Sequence, residues 1–141
     1  MNDLKLEDFP FITFDKVRYS DTDRQGHVNN AVFSVFLETG RVEFLYHPEH
    51  VLLNEGATFV IASLELMFEN EIHWPGKVDI GTGIVSIGRS SMKLCQRIFQ
   101  EGKAVGQAQT VIVQVAPEGK SKPLDEEAKA KLSKWMLNLE S

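Results

Sequence analysis

Cysteine is almost missing from this chain. Cys95 stands alone among 141 residues, so neither an internal disulfide framework nor a multi-cysteine zinc site can form. Positive charge is in deficit: 15 Lys and Arg against 20 Asp and Glu leave a net charge of −5. A general binder of phosphate backbones needs the opposite sign, so a nucleic-acid role is not expected. Also missing is any apolar run near the ~20 residues that a membrane span requires. The first residues, Met1 to Asp8, are acidic and carry no apolar segment, unlike a secretory signal. No internal repeat, low-complexity tract or linker divides the chain. What is present is ordinary globular composition, 43% hydrophobic and 25% charged. A chain this long can bury about two-thirds of the surface it exposes when unfolded. The expectation is one cytoplasmic domain over residues 1–141 that contacts no membrane.

The pattern of apolar residues sets the order of elements. Phe11-Ile-Thr-Phe14, followed by Lys16-Val-Arg-Tyr19, reads as an extended segment, and a polar loop follows from Ser20 to Asn30. From about Ala31 to Tyr46 the spacing predicts a helix that is apolar on nearly every side, and such a helix has to be buried. His47-Pro48 ends it, because a residue before proline is pushed out of the α region. Thr58 to Phe68 is a nearly unbroken apolar run, expected to form a central strand. Trp74-Pro75-Gly76-Lys77 is a turn signal, and Val78 to Ile87 reads as the next strand. Ser91–Gln100 and Lys103–Val115 are expected as two long strands joined by a tight hairpin at Glu101-Gly102. A tail helix follows, with Leu124, Ala128, Leu132 and Trp135 on one face. This order is α+β: a sheet curled about one buried helix. Such a sheet has open edges, and pairing edge strands across a two-fold axis would remove them, so a homodimer is expected.

The chemistry concentrates in the loop before the helix, Tyr19-Ser-Asp-Thr-Asp-Arg-Gln-Gly-His-Val-Asn-Asn30. Asn29 or Asn30 can cap the helix with a side-chain oxygen. The free N–H groups there, at the positive end of the helix dipole, suit an oxygen that becomes negative. Asp23 and His27 lie close enough in sequence to converge on one reacting atom. A calcium loop is rejected, because counting from Asp21 the twelfth position is Val32 rather than Glu. A zinc site would have to draw on His27, His47, His50 and His73, but His47-Pro-Glu-His50 straddles a helix end and lacks a partner motif, so surface histidines are expected there. Gly81-x-Gly83 with Gly88 lacks dinucleotide-binding spacing. Asp21 is expected to make a structural hydrogen bond in the turn. Glu38 and Arg41 are expected as a buried or interfacial pair, and Trp74 and Met67 as core or interface.

Arg18-Tyr-Ser-Asp-Thr-Asp-Arg-Gln-Gly-His-Val-Asn-Asn-Ala-Val-Phe33, followed by Phe36-Leu-Glu-Thr-Gly-Arg41, resembles the opening of the 4-hydroxybenzoyl-CoA thioesterase-like branch of the hotdog-fold acyl-thioesterases. The resemblance implies a five-stranded antiparallel sheet wrapped around a long helix, assembled as a dimer or tetramer, and hydrolysis of acyl-CoA or acyl carrier protein thioesters. It places the catalytic carboxylate on Asp23 and the carbonyl-polarising N–H near Asn30. Many relatives carry an aliphatic residue where His27 stands. The His-Val-Asn-Asn version is similar to plant-type acyl carrier protein thioesterases, in which a His-containing motif takes part in catalysis. Gly26 and Asn29 are counted with the substrate-binding residues of the same loop. No metal and no redox cofactor is expected. Coenzyme A brings phosphates, for which Arg89-Ser90-Ser91 is the leading basic site, with Lys93 and Arg97 further along and Lys120 and Lys122 as weaker candidates. Cys95 alternates with Lys93 and Arg97, an arrangement that can lower a thiol pKa, but a lone strand cysteine is expected to be inert packing. The rival readings are a hotdog dehydratase or hydratase and a non-catalytic acyl-binding hotdog protein.

Overall fold

The computed structural model describes residues 3–24, 26–47 and 56–138. Five strands, β1 (Phe11–Val17), β2 (Thr58–Phe68), β3 (Gly76–Ile87), β4 (Ser91–Gln100) and β5 (Lys103–Val115), form one sheet in the order β1-β3-β4-β5-β2. Every neighbouring pair is antiparallel. Helix α1 (Asn30–Leu45) lies across β1, β3 and β4, and helix α2 (Glu126–Leu132) follows the sheet. The fold is the α+β hotdog arrangement.

Local chemistry explains the boundaries. Asn29 caps α1, its side chain accepting the Ala31 N–H, and Asp125 caps α2 through the Ala128 N–H. Glu101 and Gly102 both take positive φ, 51° and 80°, the mirror-image turn whose twist matches two flanking strands. The β4–β5 hairpin therefore closes where the sequence places it. Helix α1 ends at Leu45 with Tyr46 as its cap, and Pro48, the expected breaker, lies outside the described residues.

The core fills the space between α1 and the sheet. Phe33, Phe36 and Leu37 pack on Val17, Val78, Ile80 and Ile98 near the start of α1. Phe44 and Leu45 pack on Ile84, Leu94 and Ile112, where Leu124, Ala128 and Leu132 close the far end. On the opposite face, Phe9 and Leu137 cover Cys95 and Phe99.

Three sequence expectations are corrected. β2 is an edge strand, not a central one: it bonds only to β5, and most of its side chains are exposed. An apolar run signals burial but does not say whether its own chain supplies the cover. The same holds for α1, which buries one stripe and leaves Val35, Val42 and Tyr46 exposed. Trp74 and Met67, expected as core or interface, are exposed, which leaves the interface as their expectation. Thirdly, Arg41 turns inward to Gln96 Oε1 at 3.4 Å, and Glu38 stays exposed and acts on it only through space. Burial lowers the Arg41 pKa from its ordinary value, and the Glu38 charge opposes that.

Gly40 is where α1 comes closest to the sheet. A Cβ there would lie 2.8 Å from both Gln96 Nε2 and Ile80 Cγ2. Gln96 cannot step aside cheaply, because its Nε2 donates to Leu37 O and Thr82 Oγ1 inside the core. Replacing glycine by alanine in a helix normally gains up to about 1 kcal/mol, but overpacking costs about 1–3 kcal/mol. The expected outcome for Gly40→Ala is a net loss of about 1–2 kcal/mol, read as a lower urea midpoint at unchanged m-value. An unchanged or higher midpoint would show that the contact relaxes freely.

Candidate active site

Asp21 fixes the loop ahead of α1. It is 3% exposed and receives the Arg18 backbone N–H at 2.8 Å and Arg18 Nη2 at 3.0 Å. That hydrogen bond, and the Asp21 charge behind it, raise the Arg18 pKa. The Asp21 carbonyl in turn accepts the Asn29 N–H at 2.8 Å. The structural role expected of Asp21 is the one it has.

Inside this frame the chain doubles back. The Asp23 N–H donates to the His27 carbonyl at 2.7 Å and the Gly26 N–H to the Asp23 carbonyl at 3.2 Å. The His27 N–H reaches back to Asp23 Oδ1 at 3.3 Å. The turn thus holds Asp23 beside His27, and both open into a cleft of about 390 Å³ that is also lined by Asn30, Phe33, Phe68 and Glu71. Phe33 and Phe68 meet edge to face, with ring centroids 5.0 Å apart, as the apolar wall. Asn29 is occupied in capping. The Asn30 N–H is a first-turn donor with no hydrogen bond among the described residues, so it is available to an acceptor in the cleft. The structure therefore brings Asp23, His27 and Asn30 together, with Gly26 and Asn29 shaping the loop behind them.

Glu71, which lines the cleft, is not singled out by the sequence, and His73 stands next to it outside the cleft lining. Glu71 Oε2 lies 3.2 Å from His27 Nε2 and 3.9 Å from His73 Nε2. The two histidines face each other across an antiparallel bridge, with ring centroids 5.3 Å apart. His73 is a surface histidine, 61% exposed, and His27 is about one-third exposed. His47 lies apart from them, edge-on to Phe11, and His50 is outside the described residues.

Arg89, Ser90 and Ser91 sit at the β3–β4 hairpin, at the other end of the sheet from Asp23. The 12 residues of β3 separate the two ends by roughly 35–40 Å. The Arg89 carbonyl accepts the Leu124 N–H and the Ser90 carbonyl accepts the Gln114 N–H. These bonds bring the hairpin against the loop that carries Lys120 and Lys122, gathering three cations. Arg97 leaves the group: its guanidinium is bidentate to Glu69, at 3.0 and 2.6 Å, and donates to Leu4 O. A strand cation awaiting a phosphate and one paired across the sheet look alike in sequence.

Burial decides the state of Cys95. The thiol is fully buried and its pKa is pushed up to about 11, with desolvation outweighing the nearby Arg97 charge. The inert packing expected of Cys95 is what the structure has, and the alternative of a lowered pKa does not occur. The folded protein should therefore leave Cys95 unmodified by a disulfide reagent at pH 8, and full reaction should need denaturant. Rapid modification of native protein would contradict this burial. The raised pKa also removes stability as pH climbs from the ordinary thiol range through 11, because the unfolded thiol ionises first.

Comparison with known proteins adds a second line of observation. Residues 17–132 match the thioesterase-like superfamily. The acyl-CoA thioester hydrolase YbgC of Escherichia coli O6:H1 is 30% identical over 106 residues, 72% of this chain and 79% of its own. Among solved structures, a Thermus thermophilus thioesterase complexed with coenzyme A and Zn is 31% identical, with a TM-score of 0.79 and coverage of 89% of this chain and 93% of its own. A predicted thioesterase of Bacillus stearothermophilus is 29% identical, with a TM-score of 0.80 over 89% of this chain and 96% of its own.

Proposed function

The chain belongs to the thioesterase-like superfamily, and on that premise we propose that it hydrolyses acyl-CoA thioesters to the free carboxylic acid and CoA. The observation that carries this reading is the convergence of the Asp23 carboxylate and the Asn30 N–H on one cleft with an apolar wall. A thioester carbonyl is already electrophilic, so the protein has to supply an activated nucleophile and hold the developing oxyanion. With the carbonyl oxygen at the Asn30 N–H, the acyl carbon faces Asp23. One such amide contact contributes roughly 3 kcal/mol to transition-state stabilisation. Asp23 either attacks the carbon itself, giving a mixed anhydride that water then opens, or takes a proton from an attacking water. In both routes the C–S bond breaks, the oxygen of water ends in the products, and a proton reaches the CoA sulfur. His27, its Nε2 held by Glu71, orients the water or Asp23, or serves as the base. Phe33 and Phe68 receive the acyl chain.

The functional unit is a homodimer in the cytoplasm, each chain acting as one thioesterase domain. The open edge of β2, which a copy of itself can pair, and the exposed Val35 and Val42 of α1, which a second subunit can cover, support this. Antiparallel pairing of β2 with its copy sets the Phe68 end of one strand beside the Thr58 end of the other. The hairpin end of the second sheet then approaches the cleft of the first. In that arrangement Arg89 of the partner subunit meets the phosphates of CoA, which an acidic protein needs a local cationic patch to bind.

A thiol-release assay across short, long and aromatic acyl-CoAs tests the activity. Release from at least one class, with kcat/KM falling as salt screens the phosphates, is expected. Saturable binding without thiol release would favour an acyl-binding protein instead, and loss of the enoyl double bond a hydratase.

A further inference from the structure

We propose that His27, Glu71 and His73 form a site for one borderline-soft divalent cation of the zinc type, and that filling it suspends hydrolysis by occupying the His27 imidazole. The backbone alone creates the arrangement. His27 lies opposite His73 in an isolated antiparallel bridge, where directly paired side chains share a face. Glu71 is two residues before His73, and the alternation of exposed Glu71, buried Ile72 and exposed His73 puts the two on the same face. The frame is held without help from these side chains. The Val28 N–H donates to Ile72 O at 2.9 Å, and the Gln100 amide clasps the His73 backbone at 2.9 and 2.8 Å.

The donor atoms already surround a common point. One atom from each residue lies within 4.8 Å of the others, and the His27–Glu71 pair is at 3.2 Å. Zinc bonds of about 2.0–2.2 Å to nitrogen and oxygen require ligand separations of about 3.4 Å. The closure needed is small, and rotation of the side chains supplies it: His27 is 32% exposed, Glu71 60% and His73 61%. Neither imidazole has another polar side-chain partner among the described residues. Glu71 also borders a second cleft of about 470 Å³ on the His73 side, which leaves room for water to complete four-coordination. Two imidazoles and one carboxylate match zinc or cobalt, whereas magnesium and calcium demand oxygen donors. A cation there competes directly with the role of His27 beside Asp23. The binding half of the proposal stands on geometry alone, and the inhibitory half rests on the hydrolysis proposed above.

Titrating chelator-stripped protein with Co²⁺ tests the site without reference to turnover. Visible d–d absorption saturating at one Co²⁺ per chain and displaced by Zn²⁺, but not by Mg²⁺, is expected. His73→Ala should weaken Zn²⁺ by at least about 100-fold, and Glu71→Gln should weaken it as well. His73→Ala should also keep its basal hydrolysis while losing the inhibition that Zn²⁺ imposes on the unmodified protein and that a chelator reverses. Absence of the cobalt band, or equal Zn²⁺ affinity in His73→Ala, overturns the site. Equal Zn²⁺ inhibition of His73→Ala overturns the switch. Because the absorption is read without substrate, failure of the thioesterase reading would leave this test of binding intact.

Discussion

Asp23→Asn is expected to lower kcat/KM for any accepted acyl-CoA by about 10³-fold, or about 4 kcal/mol of transition-state stabilisation. The fold should not register the change. Asparagine keeps the Oδ1 that accepts the His27 N–H at 3.3 Å, while Asp21 and the backbone bonds around it hold the loop. Stability should therefore stay within about 0.5 kcal/mol. The lost group acts on the reacting carbon, so the loss should fall on kcat, with KM little altered. The same residue separates the two routes. In heavy-oxygen water, a mixed anhydride opened at its Asp23 carbonyl leaves label in that carboxylate, whereas a general base never acquires it. Retention of more than about a tenth of the activity would pass the role to another group, and His27 is the neighbour placed to take it.

How much of this the sequence discloses follows the distance over which each feature is encoded. The Glu101-Gly102 turn and the strands on either side of it are local, so their bounds can be read from the residues themselves. The loop from Asp21 to Asn30 is equally local, and its cap, its anchor and its carboxylate are all legible. Glu71 and His73 are not, because only the bridge to His27 makes them neighbours. Arg97 misleads for the same reason: Glu69, its partner, comes from another part of the chain. The Arg89 hairpin is legible as a cationic turn, but its end of the sheet is set by strand length and direction. The discrepancy over β2 is of a different kind. Its apolar run does mark surface to be covered, but composition cannot name the chain that covers it.

That last point yields the prediction with the broadest effect, Leu64→Asp on β2. Leu64 is 39% exposed and lies on an edge strand with Val60, Ile61, Met67 and Phe68, all large, apolar and open. In one chain the substitution removes little from the core, so circular dichroism should be unchanged, and a charge on an open edge discourages random association. In a two-fold pair it acts twice. An unpaired carboxylate replacing a buried leucine costs about 2 kcal/mol per subunit, so the dimer dissociation constant should rise by about 10³-fold. Sedimentation at micromolar concentration should show a folded monomer. Hydrolysis should fall with the dimer fraction and recover as protein concentration rises, since the cleft would have lost its opposite wall and the cationic hairpin of the partner subunit. Concentration-independent activity in a proven monomer would remove the second subunit from the mechanism. A variant that sediments as the unmodified protein does would remove β2 from the interface. The logic reaches back to α1: Val35 and Val42 are exposed on the helix that the sequence reads as apolar on nearly every side. In the proposed homodimer, the open face of another copy gives Val35 and Val42 the cover that the sheet of their own chain does not.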